Sequence, residues 1–138
     1  MISSARELGL TISESHAEQF VRYLTHLITW NKTINLTAII DSKEIITKHF
    51  IDSLTALIST NFRQDSIVLD VGSGGGFPGI PLKIVRSDIQ LTLVEPVQKK
   101  CSFLNSVIGL LQLRGVSTFT GTIEQYAKQA LRSEEHTS

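Results

Sequence analysis

The stretch Ile67-Val-Leu-Asp-Val-Gly-Ser-Gly-Gly-Gly-Phe-Pro-Gly-Ile-Pro-Leu82 constrains this chain most, because a β-type apolar run meets five glycines within eight residues. The order it dictates is strand, tight loop, helix. Ile67, Val68, Leu69 and Val71 fit a strand buried on both faces. The glycines end it where the backbone must turn sharply and leave room for a ligand.

The rest of the chain is sized for one core. With 138 residues, 41% apolar and 19% charged, it is expected to form one folded unit with an appended helical piece. No apolar run approaches the ~20 residues that span a bilayer. The start, Met1-Ile-Ser-Ser-Ala-Arg-Glu7, lacks the basic-then-apolar order of a secretory signal, so a cytoplasmic protein with no membrane partner is expected. Cys101 stands alone, which excludes an internal disulfide and a cysteine-rich metal site. Thirteen Lys and Arg balance thirteen Asp and Glu, so charge neither announces nor excludes nucleic acid.

Helical spacing dominates the first sixty positions. Phe20, Val21, Leu24, Leu27 and Ile28 form one apolar stripe of a helix running to about Trp30, with Ser15 and Glu18 as its expected capping box. Residues 31–37 read as a connector. Asp41 or Ser42 then caps a second helix carrying Ile45, Ile46, Phe50, Leu54 and Leu57, and a boundary falls near Phe62, dividing a helical segment, 1–62, from a core, 63–131. Beyond the glycine loop, Ile80 to Val85 reads as a short helix and Leu91 to Glu95 as a strand. Val97, Cys101, Leu104, Ile108 and Leu111 mark a helix of roughly four turns, Val116 to Thr120 a third strand, and Ile123 the start of another helix. Strands alternating with helices predict an α/β fold with three parallel strands and right-handed crossovers. Arg132 to Ser138 are polar, follow no period and spell one reading frame of a common sequencing adapter. They are expected to be non-native, with the natural chain cut near Leu131.

Two glycine registers compete for the ligand. Gly74, Gly76 and Gly79 satisfy a dinucleotide pattern, as in an NAD-dependent oxidoreductase, but start three residues late for the turn. Asp70, Gly72, Gly74 and Gly76 instead form an Asp-x-Gly-x-Gly-x-Gly pattern that resembles the first motif of S-adenosylmethionine-dependent methyltransferases. Pro78 and Pro81 remove two amide donors from the following helix start, which harms a pyrophosphate site and leaves a sulfonium ligand unaffected. Glu95, nineteen positions beyond Gly76 at the end of the next strand, suits a pair of ribose hydroxyls. The turn Gly121-Thr-Ile-Glu124 would face the adenine, with Ile123 over the ring and Glu124 or a backbone amide at its edge.

The motifs Trp30-Asn-Lys, Asn35-Leu-Thr, His49-Phe-Ile-Asp-Ser-Leu54, Asp70 through Leu82, Thr92-Leu-Val-Glu95 and Lys99-Lys-Cys-Ser-Phe-Leu104 together resemble the bacterial small-subunit ribosomal RNA methyltransferase G family. Those enzymes methylate guanine N7 in 16S rRNA. The resemblance implies a Rossmann-like methyltransferase fold of which three strands are present, S-adenosyl-L-methionine as cofactor, 16S rRNA or the small ribosomal subunit as partner, and a monomer at full length. It also implies that Gly72 and Phe77 contact the cofactor while Ile123 and Glu124 hold its adenosine end. Thr122 departs from the family, which usually has arginine there. The family's sheet continues through further strands, so the chain by itself is expected to be marginally stable or to aggregate through an apolar edge.

Guanine N7 is an unprotonated lone pair in neutral water, so in-line methyl transfer needs no general base, and no catalytic residue is assigned. His49, Asp52 and Ser53 share a helix face in the sequence. They lack an oxyanion-hole motif and are too few for a metal site, so they are expected to support the junction with the loop or to face RNA. Lys99 and Lys100 open a helix beside the site, either meeting phosphate or lying on a solvated face. Trp30 either stacks on a base or anchors two helices. Two other classes stay open: the oxidoreductase, and a non-catalytic RNA-binding remnant.

Overall fold

The computed structural model describes residues 13–36, 48, 52–53, 55 and 62–137. In chain order its elements are α1 (Glu14–Asn31), β1 (Ile67–Val71), α2 (Gly79–Val85), β2 (Gln90–Glu95), α3 (Gln98–Leu110), β3 (Val116–Thr120) and α4 (Ile123–Thr137). The strands pair in parallel in the order β1-β2-β3, as expected for the first half of a Rossmann-like α/β fold. The second expected helix lies outside the described residues except for Lys48, Asp52, Ser53 and Thr55, which are helical.

The start of α1 is set by Ser13, not Ser15. Extended Ser13 accepts a hydrogen bond from the His16 amide at 3.1 Å, while its own amide donates to His16 Nδ1 at 3.4 Å. An imidazole nitrogen at the third helical position does what Glu18 was expected to do. The buried face also differs from the expected stripe. Phe20, Tyr23 and Leu27 are buried, whereas Val21 is 55% exposed. At about 100° per residue, Val21 falls beyond the edge of the apolar arc and Tyr23 falls within it.

Side chains alternate along each strand. Leu91 and Leu93 of β2 face a core shared with Phe20, Tyr23 and Leu27 of α1, Ile80 and Ile84 of α2, and Phe103, Leu104 and Val107 of α3. The N-terminal helix is thus built into the α/β core. The expectation that β1 is buried on both faces fails. Val68 is half-buried and Asp70 buried, but Ile67, Leu69 and Val71 are 82%, 39% and 53% exposed. The cause is topological: among the described residues β1 pairs only with β2, and α1, α2 and α3 all pack against the opposite face.

The N-terminal ends of the strands are tied by charge. Arg86 holds Asp88 through Nε at 2.8 Å and Nη2 at 2.9 Å, and also donates to the carbonyls of Phe62 and Arg63. Asp88 in turn accepts from the Asp65 amide, and these bonds hold its carboxyl well below the usual range. Entry into β1 is thereby fixed to the α2–β2 turn. At the other end of the chain, the polar tail that follows no period nevertheless continues α4 to Thr137. Arg and Glu are good helix formers, and no proline or glycine interrupts the run.

Candidate cofactor site

The glycine loop leaves β1 at the C-terminal end of the sheet, where ligands of open α/β sheets bind. Hydrogen bonds to the neighbouring strand give it its shape. The amides of Gly72 and Ser73 donate to Val94 O at 2.8 and 3.4 Å, and Gly74 N donates to Glu95 Oε1 at 2.9 Å. Inside the loop, Gly76 N donates to Ser73 O at 2.7 Å and Ile80 N to Gly76 O at 2.7 Å, carrying the chain into α2. The Phe77 ring is half-buried against Tyr23.

The structure turns Asp70 beneath the loop rather than into open space. Its Oδ2 accepts from Gly79 N at 3.0 Å, capping a helix whose own N-cap residue, Pro78, offers no side-chain cap. Burial raises the Asp70 pKa to about 6. The Gly79 amide and Ser73 oppose that rise, and the Glu95 charge adds to it.

Glu95 is buried at the end of β2 and links three turns. Its Oε1 accepts from Gly74 N and its Oε2 from Val97 N at 2.7 Å, while its carbonyl accepts from Gly121 N at 3.0 Å and from Cys101 Sγ at 3.2 Å. Among the described residues each carboxylate oxygen therefore has one donor, with a further lone pair for a ligand hydroxyl. The third turn is close by as well. Thr122 Oγ1 accepts from Gln125 N at 3.2 Å and Thr122 N donates to Gln125 Oε1 at 2.8 Å, a reciprocal cap that starts α4 with Ile123 half-buried and Glu124 exposed. Thr122, the departure from the expected arginine, thus has a local structural role.

Tyr23 is the residue that periodicity missed. It sits 52 positions before the loop, is 2% exposed, and its hydroxyl donates to Gly75 O at 2.5 Å. A tyrosine on a stripe of leucines reads as packing, and the only signal of another role is a phenol hydroxyl in a core that must find a partner.

The other candidates separate. His49 lies outside the described residues. Asp52 is exposed and Ser53 fully buried, so the two do not present one common surface. Lys99 is exposed and Lys100 half-buried in the first turn of α3, which has no acidic residue and no side-chain cap. Trp30 packs between α1 and α3, edge-on to Phe103 at 5.6 Å and near His26 at 5.9 Å. Cys101 is buried. Among the described residues, no group of three or more His, Cys, Asp or Glu is placed to hold a metal ion. No helix there is long and apolar enough to cross a membrane.

One place in the loop is left open. Gly72 has φ +73°, and a Cβ built on it would meet no atom of the described residues within 4 Å. Its glycine avoids no neighbour among the described residues, so it leaves space among them above the strand end.

Known proteins match along nearly all of this chain. The family described as rRNA small subunit methyltransferase G matches residues 16–135. The ribosomal RNA small subunit methyltransferase G of Clostridium beijerinckii is 45% identical over 93% of this chain and 54% of its own length. Its counterpart from Roseiflexus sp. is 40% identical over 99% of this chain and 58% of its own. That from Caldanaerobacter subterraneus is 41% identical over 93% and 54%. The chain spans about half the length of the curated relatives it matches.

Proposed function

Because this chain belongs to the rRNA small subunit methyltransferase G family, we propose that it holds S-adenosyl-L-methionine at the glycine loop and serves methylation of guanine N7 in 16S rRNA. The observation that carries the cofactor reading is the open space at Gly72, beside a carboxylate with lone pairs to spare at Glu95. When bound, S-adenosylmethionine supplies a methyl group made electrophilic by its sulfonium.

The chain's own residues hold and orient. Gly72, Gly74 and Gly76 keep the loop backbone low at the strand end, and Asp70 supports it from below through Gly79. Phe77 lies beside the loop. Glu95 offers its remaining lone pairs to the ribose hydroxyls, and Ile123 with Glu124 receives the adenine. Guanine N7 needs no deprotonation, so positioning and exclusion of water account for the chemistry and no residue is assigned as a base. Lys99 and Lys100, in the first turn of α3, would meet RNA phosphate, which would offset the repulsion of cations by the helix dipole there. Buried Ser53 supports the junction, while exposed Asp52, with His49, supports it or faces the RNA. The organisation we propose is a helical segment, 1–62, on a Rossmann-like core, 63–131.

The test is calorimetric titration of the chain with S-adenosylhomocysteine and, separately, NADH, followed by transfer of labelled methyl to unmodified small-subunit RNA. Binding of the first ligand alone is expected. Preference for NADH would replace the reading with an oxidoreductase, and RNA affinity without either nucleoside would leave a binding module.

A further inference from the structure

We propose that Tyr23 is a positioning residue that fixes the orientation of the Gly75–Gly76 peptide, and through it the affinity of the glycine loop for its nucleoside ligand. The inference rests on the cofactor reading above for the ligand and on the geometry alone for the peptide.

The Gly75–Gly76 unit is flanked by residues without side chains, so sterics do little to choose which way its carbonyl points. Hydrogen bonds choose instead. Gly76 N donates to Ser73 O at 2.7 Å, a bond internal to the loop that moves with it. Gly75 O accepts from Tyr23 Oη at 2.5 Å, a bond that comes from α1 and references the loop to the core. The ring that delivers the hydroxyl is itself fixed. It is 2% exposed, lies 5.6 Å from the Phe77 ring, and belongs to the cluster that includes Leu93 and Leu104. Burial, with the charge of Asp70 adding, raises the phenol pKa well above 10.0, so the hydroxyl keeps its proton and stays a donor.

A phenylalanine would fill the same space, so packing alone does not call for the oxygen. Without it, Gly75 O is left in a buried stretch with no donor from α1, and the peptide is free to turn away from the orientation the ligand meets. The penalty then falls on ligand binding and on the order of the loop, more than on the fold.

The experiment compares the whole chain with Tyr23→Phe, using Leu111→Ala as a control. Leu111 is buried beyond the end of α3 and contributes to the same core. Tyr23→Phe is expected to raise the Kd for S-adenosylhomocysteine about tenfold and to accelerate amide exchange at Gly76 about tenfold. In methyl transfer, KM for the cofactor should rise while kcat stays within about twofold. Leu111→Ala is expected to lower Tm at least as much, with Kd and Gly76 exchange nearly unchanged. Unchanged Kd and exchange in Tyr23→Phe would overturn the proposal. So would equal losses in Leu111→Ala, since they would mark a general effect of stability. If the unsubstituted chain binds no S-adenosylhomocysteine, the cofactor reading fails. Gly76 exchange then decides the role of Tyr23 on its own: acceleration supports it, no change overturns it.

Discussion

A methyl group added at Gly76 would stand 2.8 Å from both Ile80 Cγ1 and Tyr23 Oη, whereas one added at Gly72 would meet no atom of the described residues within 4 Å. Both residues have positive φ, +98° and +73°, so both substitutions strain the backbone, but only the first collides with the core. Gly76→Ala is expected to cost roughly 3 kcal/mol of stability. Gly72→Ala should cost only about 1 kcal/mol and act on the ligand instead. Thermal melts paired with titration by S-adenosylhomocysteine separate the two, and equal Tm losses would show that the space at Gly72 is not free. Asp70 carries a second residue-scale prediction. Its carboxyl titrates at about 6 in the folded chain against an ordinary 3.8, so the folded state binds the proton more tightly than the unfolded state does. The resulting stability is fully present below pH 3.8 and is lost as pH rises through about 6; the loss is on the order of 2–3 kcal/mol. Asp70→Asn keeps an oxygen for Gly79 N and removes the titration. Its stability is expected to be flat across that window in urea titrations at successive pH values, and a decline like the parent's would assign the proton elsewhere.

The turn between α2 and β2 is held by one ammonium. Lys83 is buried, with Nζ donating to Ser87 O at 2.7 Å and to Ile89 O at 2.5 Å, and burial lowers its pKa while nearby Asp88 opposes the shift. Lys83→Met would fill the same volume but leave two carbonyls without a donor, so a loss of about 1–3 kcal/mol in chemical unfolding is expected. No change would mean that water satisfies both groups. Nothing in the sequence marks Lys83 as buried, because lysine on a short helix ordinarily reads as a solvated position. The same limit explains which elements the sequence reveals. Of the expected stripe Val97, Cys101, Leu104, Ile108 and Leu111, the last four are legible because α3 packs one stripe on the sheet, where Phe103 and Val107 are buried too, whereas Val97 is the N-cap and 44% exposed. Strand β3 spans the expected Val116–Thr120, and β2 ends at the expected Glu95 but starts one residue earlier, at Gln90. The cap of α1 is not legible because His16 substitutes for the acid that the usual pattern demands. Glu95 was legible as an acid at a strand end, but its bonds to Gly74 N and Val97 N depend on a loop conformation that spacing does not encode. Tyr23 was hidden for a related reason: its partner is a backbone carbonyl, which has no letter in the sequence.

Seen as a whole, the molecule is asymmetric about its sheet. One face is closed by α1, α2 and α3, and the glycine loop gains its rigidity from that side, through Tyr23, Asp70 and Glu95. On the other face, α4 meets β3 where Tyr126 packs edge-on to Phe119 at 5.3 Å, and Val94 of the central strand is fully buried. The outward side of β1 presents Ile67, Leu69 and Val71 in alternation, an apolar row on a strand that has one pairing partner among the described residues. Such a row on an edge strand offers both hydrophobic area and free backbone groups to a second molecule. The chain is therefore expected to self-associate at micromolar concentration, with a sedimentation profile that shifts as it is diluted. Replacing Leu69 and Val71 with threonine retains β propensity while removing apolar surface. That double variant should sediment as monomer over the same range, and its affinity for S-adenosylhomocysteine should hold because both side chains point away from the face that carries Asp70 and Tyr23. A parent chain that sediments as monomer and melts reversibly at micromolar concentration would show that this face needs no cover. Loss of ligand affinity in the double variant would instead show that order in the loop depends on both faces of β1.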